Sequence, residues 1–291
     1  MSKLLLDRPD TELLDAALLE ALDEDLRLPD GEPPAEPEAA NAAGMVLRRV
    51  CIEFVRRYHR LEVQVEPGVL DRPVLFVANH GFGGLFDLNV FAVGAAIEQM
   101  GVTRPVTALA HQFSWTVGLG ALAEGLGCRP ASRDSAREAF AAGHHLLVLP
   151  GGDLDAFKSY KDRNRIVFGG RSGFARLAME HDLQIVPIVT AGAGESLLAL
   201  SSGQRLARAL KLDKTLRLKA LPISVSVPWG LNIGAVGLLP YVPLPTKLST
   251  RVLAPMVPAE GETSDAFAER VQSAMQKSLT DMTKNRRPFL G

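Results

Sequence analysis

Between residues 45 and 190 short apolar runs alternate with helical stretches, and three of those runs stop at polar or glycine-rich bends. Pro73–Ala78 ends at Asn79-His80, His145–Leu149 at Pro150-Gly151-Gly152, and Gln184–Val189 at Thr190-Ala191-Gly192. Leu61–Val65 and Pro105–Ala110 read as further strands. Met45–Arg60, Leu88–Met100, Ser114–Leu126, Ser132–Ala142 and Arg171–His181 carry the helical pattern, Ser132 standing where a cap would. Strands separated by helices of about ten residues imply βαβ crossovers, so the expected fold is α/β, a central, mostly parallel sheet flanked by helices. Ligands of such sheets gather beyond the carboxyl ends of the strands. The three bends are therefore read together as one candidate site.

The flanking regions read differently. Residues 10–28 space leucines and alanines helically among acids, and Leu28–Gly44, rich in Pro, Glu and Ala, reads as a linker. This divides the chain into an accessory acidic helix with its linker (1–42) and a main domain (43–291). Beyond residue 200, Leu218–Val227 reads as strand. Val227–Pro245 is an apolar stretch broken by Gly and Pro, and Ser264–Thr283 is an amphipathic helix. Thirty-two Lys and Arg against 33 Asp and Glu leave a formal charge of −1, which argues against nucleic acid as the main partner. Cys51 and Cys128 form neither a CxxC pair nor a disulfide framework, which suits a reducing cytoplasm. The N-terminus lacks a signal-peptide pattern, and no apolar run approaches the ~18 residues of a membrane-spanning helix. The expected protein is soluble or peripheral.

In "FVANHGFGGLFD" His80 stands between a strand and a Gly-rich turn, with Asp87 beyond it. A neutral imidazole can take a proton from a hydroxyl, and a carboxylate on its other nitrogen fixes the tautomer and stabilises the imidazolium. The same letters also suit a plain strand-to-helix turn whose Asp favours a helix N-terminus. The stretch Leu146–Ala178 carries Lys158, Lys161, Arg163, Arg165 and Arg171 beside glycines. That pattern suits a bound phosphate, or else a solvated loop paired with Asp153, Asp155 and Asp162. Arg133 is a further cation after an apolar helix. His144 and His145 point to opposite faces of a strand, so no metal site is expected. The chain has neither a G-x-S-x-G elbow nor a G-x-x-x-x-G-K-[ST] phosphate loop.

Four segments in order, "VANHGFGGLFD", "GCRPASRDSA", "VLPGGDLDAF" and "IVPIVTAGAGES", resemble the signature of the glycerolipid acyltransferase superfamily. That superfamily includes the lysophosphatidate acyltransferases and the related type-2 diacylglycerol acyltransferases, and the Pro-Gly-Gly bend resembles the latter branch. The resemblance spans about residues 45–280 and implies a glycerol-3-phosphate/lysophosphatidate acyltransferase-like fold. It also implies transfer of a fatty acyl group from acyl-CoA or acyl carrier protein to a hydroxyl of a lysophospholipid or related glycerolipid, a step in phospholipid biosynthesis. His80 would be the general base, assisted by Asp87. Asn79, Gly83, Gly84, Gly151 and Gly152 would shape the substrate site, with oxyanion donors near Gly151-Gly152, and Arg133, Arg163, Arg165 and Arg171 would meet phosphates. No metal or redox cofactor is implied, and amphiphilic substrates imply work at a membrane surface, peripherally on its inner face. Trp115, Trp229 and Val227–Pro245 are the candidate contacts there, with ordinary core as the other reading of that stretch. Two departures stand out: His-x6-Asp replaces the usual His-x4-Asp, and Gly151 replaces the glutamate of Pro-Glu-Gly. An acyl-thioester hydrolase and a non-catalytic lipid-binding relative are the alternative readings.

Overall fold

The computed structural model describes residues 38–66, 70, 72–82, 87–110, 115, 120–210, 212, 219–234 and 241–291. The acidic helix expected over 10–28, Gly83, Gly84 and most of the first half of Ser114–Leu126 lie outside the described residues. Strand β2 (Leu75–Ala78) is buried at all four positions, as a run apolar at every residue requires when both faces of a sheet are covered. It lies at the centre of a seven-stranded sheet. On one side it pairs in parallel with β6 (Ile185–Ala191), and on the other with β5 (His145–Val148). Beyond β5 come β3 (Val106–Ala110) and β4 (Cys128–Pro130), both parallel. Beyond β6 lies β10 (Ser249–Val252), antiparallel to β6, and then β1 (Glu62–Val65), parallel to β10. The sheet is thus mostly parallel, and β5, β2 and β6, the strands leading to the three bends, are adjacent.

Period-two alternation gives each central strand two coats. Leu75 and Val77 face a cluster supplied by α4 (Arg133–Ala141), α6 (Gly173–Glu180) and α8 (Ser264–Thr283), including Phe174, Phe267, Val271 and Met275. Phe76 and Ala78 face Val93, Ala96 and Ile97 of α2 (Leu88–Gln99). Four such core residues per strand segment, at ~1.5–3 kcal/mol for each large apolar side chain removed from water, make the sheet a rigid mount for the bends. Ser132 caps α4, its hydroxyl accepting from Ser135 N.

Several boundaries differ from the sequence reading. Helix α1 runs Glu38–Arg57, so residues 38–44 of the expected linker are helical. A Cβ at Gly44 would lie 1.8 Å from the Gly125 carbonyl oxygen, at the end of α3 (Gly120–Gly125), so glycine permits that contact. The polar loop after Pro150 contains α5 (Gly152–Ala156) and a 3-10 turn at Tyr160–Asp162. A second sheet, of which the sequence reading held only the strand over Leu218–Val227, joins β7 (Leu198–Ser201), β8 (Ile223–Ser226) and β9 (Gly230–Ile233), with α7 (Gln204–Ala209) between β7 and β8. Among the described residues of Val227–Pro245, Val227, Trp229, Leu231, Ile233 and Val242 are exposed, whereas Asn232 is buried and Tyr241 packs against a core cluster. Trp115 donates its indole N–H to Glu124 and packs against Gly120.

The loop after β6 is fixed by a buried ion pair. Arg286 grips Glu195 through Nε to Oε1 at 2.7 Å and Nη2 to Oε2 at 2.9 Å, with both side chains almost fully buried. Phe289 N and the Thr246 hydroxyl also donate to Oε2. Burial alone would push the Glu195 carboxyl up, but Arg286, Phe289 and Thr246 outweigh it and hold the group below its ordinary value of 4.5. A depressed folded-state pKa supplies stability above the unfolded-state value, and that stability is lost as pH falls through the folded one. Arg286→Met is expected to cost about 3–5 kcal/mol in urea denaturation. As pH is lowered from neutral to below 4.5, the native protein should lose stability from this pair, whereas the variant, whose buried carboxylate then has no cation, should not.

Candidate active site

His80 leaves β2 at its carboxyl end, and Asn79 before it acts as a joint between strands. The Asn79 side chain accepts from Thr190 N at 2.9 Å and donates to Thr190 O at 3.1 Å. The amide thus imitates one more rung of the β2–β6 ladder. Asn89, in the first turn of α2, donates to the Asn79 carbonyl at 2.8 Å. Asn79 is 3% exposed, and its amide holds the strand end.

Asp87 divides its carboxylate between two tasks. Oδ2 lies 2.7 Å from His80 Nδ1, and Oδ1 accepts from Asn89 N at 2.9 Å as the N-cap of α2. The longer His-x6-Asp spacing still brings the pair together. Both readings of the motif, orienting acid and helix cap, are realised by one side chain. Oδ1 also accepts from Gly81 N at 3.3 Å. Gly81 is required by close approach, since a Cβ there would lie 2.6 Å from Ala193 Cβ. With Nδ1–H donated to Asp87, His80 Nε2 carries the lone pair, and the imidazole retains 18% exposure.

The peptide of His80 is gripped from both sides. Asp155 Oδ2 accepts from His80 N at 2.7 Å, and Lys158 Nζ donates to His80 O at 3.1 Å. Asp155 Oδ1 and Lys158 Nζ pair at 2.8 Å, buried at 0% and 5%. The remaining valences are met by Val167 N on the carboxylate and Arg165 O on the ammonium. This clamp was not read from the sequence, where Asp155 stood among several acids and Lys158 among several cations. It also accounts for Pro-Gly-Gly in place of Pro-Glu-Gly. A Cβ at Gly151 would lie 2.2 Å from Asp155 Cβ and 2.7 Å from Val167 O. The space that a side chain at position 151 would need is taken by the carboxylate that braces His80.

The groups expected to meet the oxyanion and phosphates have partners within the chain. Gly152 N already donates to Leu149 O at 3.2 Å, so that amide is not free to face a substrate. Arg171, expected to hold an anion, instead donates to the carbonyls of Pro150 and Gly151 and, at 3.2 Å, to Asp153 Oδ1, fastening the turn. Arg163 lies over the Tyr160 ring at 4.2 Å and donates to Tyr160 O, while its Nε is buried without a partner. Arg165 and Arg133 are largely exposed, at 3.5 Å from Asp162 and 3.9 Å from Glu180. None of the four guanidiniums hydrogen-bonds His80 or Asp87. Tyr241 completes the surroundings, its ring edge-on to Phe82. Burial, and secondarily the Asp87 charge, push its hydroxyl up to about 12 against a bond from Ser196, so it stays protonated. Among the described residues no cluster of His, Cys, Asp and Glu suits a metal ion.

A largely buried histidine on a carboxylate thus stands at the carboxyl ends of three adjacent parallel strands, where ligands of such sheets gather. The acyltransferase family profile matches residues 53–191, a span that contains Asn79-His80 and Pro150-Gly151-Gly152 and stops at the end of β6. That match covers a little under half of the chain, which over this span is similar to the acyltransferase family. It is 28% identical over 252 residues to an uncharacterized protein of Mycobacterium tuberculosis, covering 83% of this chain and 67% of that one. It is 24% identical over 230 residues to the chicken (Gallus gallus) "DGAT1/2-independent enzyme synthesizing storage lipids", covering 79% and 62%. Human diacylglycerol O-acyltransferase 2 is 26% identical over 118 residues, 40% of this chain and 30% of that one. Among solved structures, the 1-acyl-sn-glycerophosphate acyltransferase PlsC of Thermotoga maritima aligns with a TM-score of 0.49 at 14% identity, covering 94% and 90%.

Asp155→Ala should cost about 3–5 kcal/mol, because it leaves Lys158 as an unpaired buried charge. Hydrogen–deuterium exchange should show the His80 amide losing its protection. Gly151→Ala should produce the same exchange signature through the steric displacement of Asp155.

Proposed function

We propose that the protein transfers a fatty acyl group from acyl-CoA or acyl carrier protein to a hydroxyl of a lysophospholipid or related glycerolipid, with His80 as general base. The observation that carries this reading is the 2.7 Å contact of His80 Nδ1 with Asp87, which leaves Nε2 as the basic nitrogen. In the step, Nε2 takes the proton of the acceptor hydroxyl as its oxygen attacks the thioester carbonyl. The tetrahedral intermediate then collapses, the carbon–sulfur bond breaks, and the thiolate recovers the proton from the imidazolium. Asp87 holds the ring and offsets its transient positive charge. The step as written uses no metal or redox cofactor.

A second acceptor class, neutral glycerides, is favoured by one observation: Arg171, the strongest phosphate candidate in the sequence, is spent on the carbonyls of the Pro-Gly-Gly turn. The names of the chicken and human relatives point the same way. Release of free thiol from acyl-CoA, measured with lysophosphatidate, with a diacylglycerol and with no acceptor, separates the readings. Acceptor-dependent release supports transfer, and equal release without acceptor would establish a hydrolase. His80→Ala is expected to lower acceptor-dependent turnover by at least ~10²-fold. Asp87→Asn should reduce it severely as well, since the ring loses both its tautomeric control and its counter-charge.

A further inference from the structure

The second sheet, β7-β8-β9, has two unlike faces. Inward, Ala199, Ser224 and Asn232 are buried, and Ala199 joins Phe82, Ala156, Phe157 and Leu197 in a cluster beside the His80 turn. Outward, Leu198, Leu200, Val225, Leu231 and Ile233 are each between 39 and 64% exposed. The register places Leu198, Val225 and Leu231 side by side across the three strands. Trp229, 49% exposed, stands in the β8–β9 turn. The apolar surface continues along Val242 and Leu244, and Tyr58 donates to Pro243 O from the end of α1, where Phe54 and Val50 are also exposed. Contiguous apolar surface of this kind is uncommon on a soluble monomer and marks a contact.

Charge identifies the partner. From Leu197 to Thr246 the sequence holds Arg205, Arg208, Lys211, Lys214, Arg217 and Lys219 against one acid, Asp213, in a chain whose net charge is −1. Arg205 and Arg208 project into solvent from α7, at the edge of the apolar sheet. Lys219 is exposed, and its backbone N–H donates to Asp153 at 2.6 Å, next to the Pro-Gly-Gly turn. A second copy of the same chain would bring cations against cations.

We propose that the outer face of β7-β8-β9 docks on an anionic phospholipid bilayer, with Leu231, Ile233 and Trp229 entering the interface and Arg205 and Arg208 against lipid phosphates. Apolar insertion and a polybasic rim are individually weak anchors and bind stably together. The inference rests on the proposed glycerolipid reaction for its rationale: the other face of the same sheet packs, through Ala199, in a cluster with Phe82, two residues beyond His80.

The test is co-sedimentation of the full chain with vesicles of phosphatidylcholine alone and of phosphatidylcholine with about 30 mol% phosphatidylglycerol, since each basic residue near an anionic surface contributes about a kcal/mol. The native chain should bind the anionic vesicles at least ~10-fold more tightly, with a blue shift of tryptophan emission that Trp229→Phe diminishes. Leu231→Ser with Ile233→Ser, and separately Arg205→Glu with Arg208→Glu, should each weaken binding by at least ~10-fold. Thiol release with a short-chain acceptor below its micellar concentration should be unchanged in both variants. Binding that is unaffected by either pair, equal binding to both vesicles, or a dimer in gel filtration that Leu231→Ser with Ile233→Ser dissociates would overturn the proposal. If the vesicle results fail while turnover of the soluble acceptor persists, the docking inference falls alone. If docking holds while no acceptor is acylated, the proposed reaction falls instead.

Discussion

A buried carboxylate with no exposure of its own, Asp155, is the interaction on which the site depends. Taking Asp155 and Lys158 out of water is expensive, and their mutual attraction offsets the cost only when every remaining hydrogen-bonding position is filled. Here the filling groups are the N–H and C=O of His80, Val167 N and Arg165 O. The pair therefore cannot be stable unless His80 stands where it does, and His80 is fixed by the same requirement. The glycines follow from it: Gly151 leaves room for Asp155, and Gly81 lets the next turn press against Ala193.

The strands β2, β5 and β6 could be read from the sequence because they are largely buried on both faces and so are mostly apolar. Helices between them leave one arrangement open to them. The second sheet escaped for the opposite reason. Its outer face is apolar where water would ordinarily select polar residues, so β7 and β9 lacked the alternation that marks a half-buried strand. β4 has three residues, too few to show any period. β10 is recognisable only through partners far away in sequence, as in the pairing of Thr250 with Thr190 and Val63.

The candidate site divides along the same line. His80 and Asp87 lie close enough in the chain to be noticed together. The carboxylate's second oxygen then resolves the choice between cap and orienting acid by serving as both. Asp155 reaches His80 across 75 positions, and no local pattern distinguishes it from Asp153 or Asp162. The arginines carry two readings for a physical reason. A guanidinium satisfies backbone carbonyls as readily as phosphate oxygens, and Arg171 sits where the carbonyls of Pro150 and Gly151 are nearest.

The placement of β10 has a consequence for how the chain assembles. Because β10 lies between β6 and β1, β1 has no neighbour in the sheet until residues 249–252 are available, although it is made almost two hundred residues earlier. Until then β6 presents an open edge of hydrogen-bonding groups, and an apolar helix and strand wait beside it. Such long-range pairing pays its loop-closure entropy late and folds slowly. On a ribosome, the growing chain would carry this unsealed edge from the completion of β6 until β10 is made, the interval in which edge-to-edge association with other nascent chains competes with folding.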